Sequence, residues 1–209
     1  MKKFELNDYN NITSEILMSA EGTDFTMLMA YVLKLALLRD AGFYEWMILN
    51  FNEIMDKEES FIKNIEDKCS FIMQFFNTKD PDMKKEYKML MFGDIFADVI
   101  YSDFEDKLSY GECMSLGMIA NAFISYKRQL LSKEEYYELR DMFVPFGLTI
   151  SLDPFDATAI IERLYEAFAQ CMDNNGITLL KKIGKSALYS DIKNEEIKEA
   201  FEELMVEWD

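Results

Sequence analysis

The chain has 209 residues, 50% of them hydrophobic and 14% aromatic, which suffices for one globular domain and excludes an intrinsically disordered chain. Lys and Arg number 22 against 39 Asp and Glu, so the formal net charge at pH 7 is −17, which predicts no binding to nucleic acid or to an anionic membrane. There is no histidine, so the usual general base and the commonest zinc ligand are absent. The three cysteines are far apart and form no Cys-x-x-Cys motif, which predicts reduced thiols in a cytoplasmic protein.

The periodicity of apolar residues predicts a mainly α-helical fold. Residues 1–20 are predicted to be a polar lead-in segment, with a short strand or a turn of helix near 16–18, and residues 21–209 are predicted to form one helical domain. Gly42 is predicted to end the first long helix, and Pro154 to lie in the first turn of a later one. In chain order, helices are predicted over 24–40, 44–55, 58–77, 84–101, 107–126, from 132 to the region of 145–147, from 154 to 171, and from a cap at 194 to 205.

One small β feature interrupts this helical pattern. Turn signals lie at 78–82 and at 174–176, and the second is followed by two short apolar runs on either side of Gly184. We expect strands over 177–183 and 186–189, forming one small β-hairpin near residues 177–189.

The helix at 107–126 is the predicted centre of the fold. Gly117, Ala120 and Ser125 leave room for neighbouring helices, and methionines and Phe123 supply apolar bulk. Its stretch from Tyr110 to Met118, Tyr-Gly-Glu-Cys-Met-Ser-Leu-Gly-Met, resembles the His-Gly-Glu-Ala-Val-Ala-Ile-Gly-Met helix of 3-dehydroquinate synthases.

Three other stretches resemble the same family in the same order: 29–40, 90–101 and 179–185. The resemblance covers roughly residue 20 to the C-terminus. It implies the helical C-terminal domain of a 3-dehydroquinate synthase, in degenerate form and without the NAD-binding N-terminal domain. No glycine-rich phosphate-binding motif occurs in the sequence.

The departures from the family pattern fall on the residues that perform its chemistry. By the resemblance, Tyr31, Asp94 and Tyr110 stand where the family has its three zinc ligands, and Asp98 stands where it has a catalytic histidine. The resemblance implies NAD and zinc as family cofactors, whereas the lost ligands predict no cofactor and no metal here. The residual cleft, a candidate ligand site, is predicted to contain Tyr31, Lys34, Met91, Asp94, Asp98 and Tyr110.

Asp94 and Asp98 lie one helical turn apart, and this spacing allows two interpretations. In the first, they form an oxygen-ligand site for Mg²⁺ or Ca²⁺ with Glu112 as the nearest further ligand. In the second, one aspartate pairs with Lys34 and the other is solvated. We favour the second because buried carboxylates are usually paired.

The sequence therefore predicts a stand-alone, non-catalytic domain that binds a protein partner or a small molecule in the residual cleft. The partner is expected to be a second copy of the chain or a separate protein chain. The alternative is an enzyme, a component of a 3-dehydroquinate synthase (a shikimate-pathway lyase) that a separate NAD-binding chain completes. A third interpretation is a decayed gene product whose fold persists without a function.

Overall fold

Helices make up most of the fold. The computed structural model describes residues 6–79, 86–172 and 176–206. Within these ranges the α-helices are α1 (Ser14–Ser19), α2 (Gly22–Arg39), α3 (Ala41–Leu49), α4 (Phe51–Met55), α5 (Glu59–Lys79), α6 (Asp94–Phe104), α7 (Tyr110–Lys127), α8 (Lys133–Asp141), α9 (Thr158–Met172) and α10 (Asn194–Glu203). Short 3₁₀ helices cover Leu6–Asn11, Glu86–Met91 and Val144–Phe146. Strands β1 (Ile177–Lys182) and β2 (Lys185–Tyr189) form one antiparallel hairpin. The predicted mainly α-helical fold with one small hairpin is confirmed. None of the helices within the described ranges is long and apolar enough to cross a membrane.

Helix α7 lies at the centre of the fold, as predicted. It packs against α2, α6, α8, α10 and β1, and nearly all of its residues are buried. It begins at Tyr110 because Ser109 caps it: the Ser109 hydroxyl accepts from the Glu112 amide at 3.3 Å, and the Ser109 amide donates to the Glu112 carboxylate at 2.8 Å. This reciprocal capping box satisfies backbone donors that would otherwise lack partners. A similar capping box, between Ser132 and Glu135, begins α8 at the predicted position.

The predicted helix over 84–101 is wrong in its first half. The 3₁₀ helix at Glu86–Met91 is followed by Gly93 in a left-handed conformation (φ 82°), and α6 begins only after it. Gly93 lies against the backbone of α7: a Cβ atom at Gly117 would lie 2.1 Å from the Gly93 carbonyl oxygen. The break therefore follows from close packing of α6 on α7, which the local sequence does not encode.

Two further predictions at helix ends are wrong. Gly42 does not end α2, because Asp40 separates α2 from α3 and its carboxylate accepts from the Phe43 amide at 2.9 Å, which places Gly42 inside α3. The predicted helix over 44–55 is divided at Asn50, whose side chain donates to the Trp46 carbonyl at 2.6 Å. Such local side-chain bonds compete with continuation of the helix.

Pro154 is not in a helix. Helix α9 begins at Thr158, where the Asp156 carboxylate accepts from the Thr158 amide at 3.1 Å. The predicted turn signals at 78–82 and 174–176 lie mostly outside the described residues. Near residues 16–18, where either a short strand or a turn of helix was expected, the structure has helix α1. This helix packs against α5.

The hairpin is anchored to the helices at its turn and along β1. The Gly184 amide donates to the Leu37 carbonyl at 2.9 Å, so the hairpin turn caps the C-terminal end of α2. Inside the core, the Asn121 side chain donates to the Thr178 carbonyl at 3.0 Å, and the Ser125 hydroxyl accepts from the Leu180 amide at 3.1 Å. These bonds explain why α7 carries buried polar residues: they satisfy β1.

Arg128, just after α7, connects α7 to α10. Its guanidinium donates to the two Glu196 carboxylate oxygens at 2.6 and 2.8 Å and to Asp191 at 2.7 Å. The hydrogen bonds from Arg128 lower the pKa of Glu196 and of Asp191.

We expect Arg128→Gln to lower the free energy of unfolding by about 1 kcal/mol at pH 7, because the bidentate pair with Glu196 is partly shielded from water. A carboxyl group with a lowered folded-state pKa stabilises the fold above its unfolded pKa, and that contribution is lost as the pH falls through the folded value. The difference between wild type and variant should therefore shrink below about pH 4. Urea denaturation at pH 7 and pH 3.5 measures it, and a difference that is unchanged at the lower pH would contradict the assignment.

Candidate functional site

Three helices bring most of the predicted cleft residues together. Helix α2 supplies Tyr31 and Lys34, which lie one turn apart, the first two turns of α6 supply Asp94 and Asp98, and the first residue of α7 is Tyr110. Both α2 and α6 pack directly on α7, which places their side chains at the N-terminal end of that helix.

Lys34 forms a buried ion pair with Asp94. The Lys34 side chain is 0% exposed and that of Asp94 is 14% exposed, and the ammonium group donates to one carboxylate oxygen. The Lys34 ammonium also lies 5.7 Å from the centroid of the Tyr31 ring. Asp94 is the first residue of α6, where the helix dipole favours a negative charge. This is the pairing expected in the second interpretation of the two aspartates.

Tyr110 acts as a hydrogen-bond donor in this cluster. Its hydroxyl donates to the Asp98 carboxylate at 2.7 Å, and its ring packs edge-on against Tyr101 at 5.4 Å between centroids. The pKa of Tyr110 lies well above its ordinary value because of burial first, then the charges of Asp94 and Asp98, then the hydrogen bond to Asp98. Tyr110 therefore stays protonated at neutral pH.

Tyr9 is a member of the cluster that sequence reasoning missed. Its ring packs edge-on against Tyr31 at 5.1 Å between centroids, and it is 3% exposed. Burial, followed by the charges of Asp94 and Tyr31, raises its pKa well above the ordinary value. The one available signal was an aromatic residue, Tyr9, within the mostly polar segment that was predicted as a lead-in.

Met91 and Glu112 make contacts outside the cluster formed by the ion pair and the tyrosines. Met91 is 40% exposed and lines a cavity of about 270 Å³ with Lys88, Ile95, Cys171 and Ile177 among others. Glu112 is engaged by Ser109 in the capping box, so it is not placed as a third ligand beside the aspartates. Among the residues that the structure describes, no three His, Cys, Asp or Glu side chains are grouped to hold a metal ion.

The side chains at this site do not fit zinc. Zinc binds deprotonated or neutral N, O or S donors, whereas the ammonium of Lys34 engages Asp94 and the hydroxyl of Tyr110 directs its proton at Asp98. As arranged, the cluster can hold a buried positive charge and orient phenols.

Comparison with known proteins places these observations in a family. The model of the family described as "3-dehydroquinate synthase C-terminal" matches residues 29–169. A 3-dehydroquinate synthase of Thermodesulfovibrio yellowstonii is 23% identical over 198 residues, covering 92% of this chain and 54% of the relative. One from Clostridium botulinum is 27% identical over 184 residues, covering 86% of this chain and 51% of the relative. The chain thus spans about half the length of the curated relatives it matches.

Solved structures with the same fold are related synthases. A 2-epi-5-epi-valiolone synthase from Streptomyces hygroscopicus subsp. jinggangensis 5008, with NAD⁺ and Zn²⁺ bound, matches with a TM-score of 0.76 at 17% identity, over 91% of this chain and 54% of that one. A 2-deoxy-scyllo-inosose synthase in complex with carbaglucose-6-phosphate, NAD⁺ and Co²⁺ matches with a TM-score of 0.72 at 18% identity, over the same shares of the two chains. At these identities the structural similarity shows the fold alone. The family model matches more than half of the chain, and this match shows the family. The chain belongs to the 3-dehydroquinate synthase C-terminal family.

Proposed function

We propose that this chain is a non-catalytic member of the family that acts by binding, either to a protein partner or to a small molecule. The observation that supports this most directly concerns the three positions where the resemblance places the family's zinc ligands: Tyr31 and Tyr110 are buried phenols, and Asp94 is paired with the Lys34 ammonium. Two phenols and one carboxylate are a poor donor set for zinc, which binds Cys, His, Asp and Glu.

The surrounding groups support the same proposal. Tyr31 and Tyr110 are 2% and 7% exposed, and the Tyr110 hydroxyl donates a hydrogen bond to Asp98, so its phenol is not placed as a substitute for an imidazole ligand. Asp98, in the position of the catalytic histidine, is exposed. The proposed binding partner is a second copy of the chain or a separate protein, and the proposed location is the cytoplasm.

A second candidate function is a component of a 3-dehydroquinate synthase, completed by a separate NAD-binding chain. What favours it is that the chain spans 54% of the Thermodesulfovibrio relative, and that two solved structures with its fold have NAD⁺ bound. A partner chain would supply the nucleotide, but it would not restore the zinc ligands that the resemblance places at Tyr31, Asp94 and Tyr110.

We expect no formation of dehydroquinate by the purified chain with NAD⁺ and Zn²⁺, alone or mixed with the N-terminal half of the Thermodesulfovibrio synthase. The physical reason is the missing donor set for the metal. The matched control is the same N-terminal half mixed with that enzyme's own C-terminal half. This control mixture must form dehydroquinate for a negative result with our chain to be interpretable. Activity of the mixed sample with this chain, and none without it, would overturn the proposal in favour of the second candidate.

Binding is tested separately by native mass spectrometry of the full chain purified gently from its own source. A second copy, another polypeptide or a small molecule that stays bound supports the binding function. A bare monomer under conditions that preserve known complexes would count against it.

A further inference from the structure

The turn of the β-hairpin carries three exposed lysines in a strongly acidic chain. Lys181 and Lys182 are the last residues of β1 and Lys185 is the first of β2, whereas the chain as a whole has a net charge of −17. Within the described part of the chain, none of these three ammonium groups has an ion-pair partner. Their charges are therefore available to an anionic group from outside the chain.

Two of these lysines lie directly opposite each other across the hairpin. Lys182 and Lys185 are partners in the antiparallel register. The Cβ atoms of such partners are about 5 Å apart, and like charges at this separation destabilise the pairing of the strands. Side chains that oppose the stability of the fold are found at functional sites. An anionic group bound beside both lysines would relieve the repulsion.

Tertiary contacts place two further cations beside the turn. A Cβ atom at Gly184 would lie 2.3 Å from the amide nitrogen of Ala41, so the turn touches the start of α3. Arg39, two residues earlier, ends α2, and Asp40 between them pairs with Lys68 of α5 at 3.3 Å. The five cations on this surface, which we call the basic patch, are Arg39, Lys68, Lys181, Lys182 and Lys185.

An exposed phenylalanine borders the basic patch. Phe71 is 70% exposed, and it lies on α5 one turn from Lys68 and one turn from Phe75. The guanidinium carbon of Arg39 lies 3.7 Å from the centroid of the Phe75 ring. Aromatic and arginine side chains are enriched in protein–protein interfaces, where they supply much of the binding energy. The surface thus combines positive charge with an apolar anchor.

We propose that the basic patch binds an acidic segment of a protein partner, and that Phe71 packs against an apolar side chain of that segment. Charge complementarity favours a segment rich in Asp and Glu, and the exposed ring favours a peptide over an inorganic anion. This inference rests on the proposed binding function and names the chemistry of the partner. A nucleic acid is a poorer occupant, because a long polyanion would also meet the acidic remainder of the surface.

We expect a fluorescently labelled peptide of roughly 12 residues, composed of Glu and Leu with a central Trp, to bind the full chain at low ionic strength and more weakly in salt. The double variant Lys182→Gln, Lys185→Gln should weaken this binding at least about fivefold, because two charge pairs are lost. Phe71→Ser should weaken it by about as much, because it removes the aromatic anchor. Fluorescence anisotropy titrations measure the dissociation constants.

The controls separate the basic patch from the general effect of charge. The double variant Lys127→Gln, Lys198→Gln has the same change in net charge, but its lysines are half-exposed and already pair with glutamates of α10. It should bind the peptide as the wild type does. A peptide with Gln in place of Glu should not bind. The variant at Lys182 and Lys185 should melt at the same temperature as the wild type or higher, because a repulsion is removed.

Four outcomes would overturn the proposal: no binding of the acidic peptide at low ionic strength, equal binding of the Gln peptide, equal weakening in the control variant, or tighter binding of an oligothymidylate of similar length. A partner that native mass spectrometry detects equally with the wild type and with the Lys182 and Lys185 variant would overturn this inference and leave the proposed binding function intact. A bare monomer in that experiment counts against the proposed function alone, because the peptide titration needs no partner that survives purification.

Discussion

Replacing Asp94 with Asn should lower the free energy of unfolding by about 3–5 kcal/mol, because it leaves the buried Lys34 ammonium without its counter-charge. The side chain of Lys34 is 0% exposed, so water cannot replace the lost carboxylate without opening the contact between α2 and α6. Chemical denaturation of the variant and of the wild type measures the loss.

Two variants make this result interpretable. Asp98→Asn lies one turn further along α6, where the side chain is exposed, and its oxygen can still accept from Tyr110. We expect it to cost less than about 1 kcal/mol, as exposed charges usually do. The double variant Lys34→Met, Asp94→Asn removes the buried charge together with its partner and should be more stable than Asp94→Asn alone. Equal losses for Asp94→Asn and Asp98→Asn would contradict the importance of the buried pair.

Replacing Gly117 with Ala should destabilise the fold by about 3 kcal/mol or prevent folding. The new Cβ would lie 2.1 Å from the Gly93 carbonyl oxygen and 3.0 Å from the Ala97 amide nitrogen, both of which are backbone atoms that no side-chain rotation can move away. The expected consequence is separation of α6 from α7, which also carries Asp94 away from Lys34.

The matched control is Gly42→Ala in α3. Its Cβ would meet one side-chain atom, Asp40 Oδ1, at the ordinary contact distance of 3.5 Å. Alanine is also the better helix former, by up to about 1 kcal/mol, so we expect Gly42→Ala to cause no loss of stability. Urea denaturation of both proteins tests it, and similar stabilities would mean that α6 and α7 are not in close backbone contact.

The sequence predicts the fold where the information is local. The start of a helix at Ser132 and the apolar runs around Gly184 are short-range signals, and the structure contains both predicted features. The break at Gly93 depends on the approach of another helix, and the role of Asp40 depends on which of two helices its side chain caps. Tertiary contacts of this kind override helical periodicity, so pattern reasoning extends helices through them.

The site shows the same division between local and tertiary information. Pairing of Lys34 with an aspartate could be predicted, because an isolated lysine among apolar helix residues requires a carboxylate. The position of Tyr9 could not, because it depends on how the N-terminal 3₁₀ helix docks against the remote helix α2.

The hairpin sets a lower limit on the unit that can fold independently. The family match ends at residue 169, yet the bond from Ser186 to the Leu38 carbonyl joins positions 148 residues apart. A fragment cut at the family boundary would leave Asn121 and Ser125 in the core without their strand partners, and the last carbonyls of α2 without donors. Buried polar groups without partners lower the free energy of unfolding. The unit that folds independently therefore extends through β2 and is longer than the segment that the family model matches.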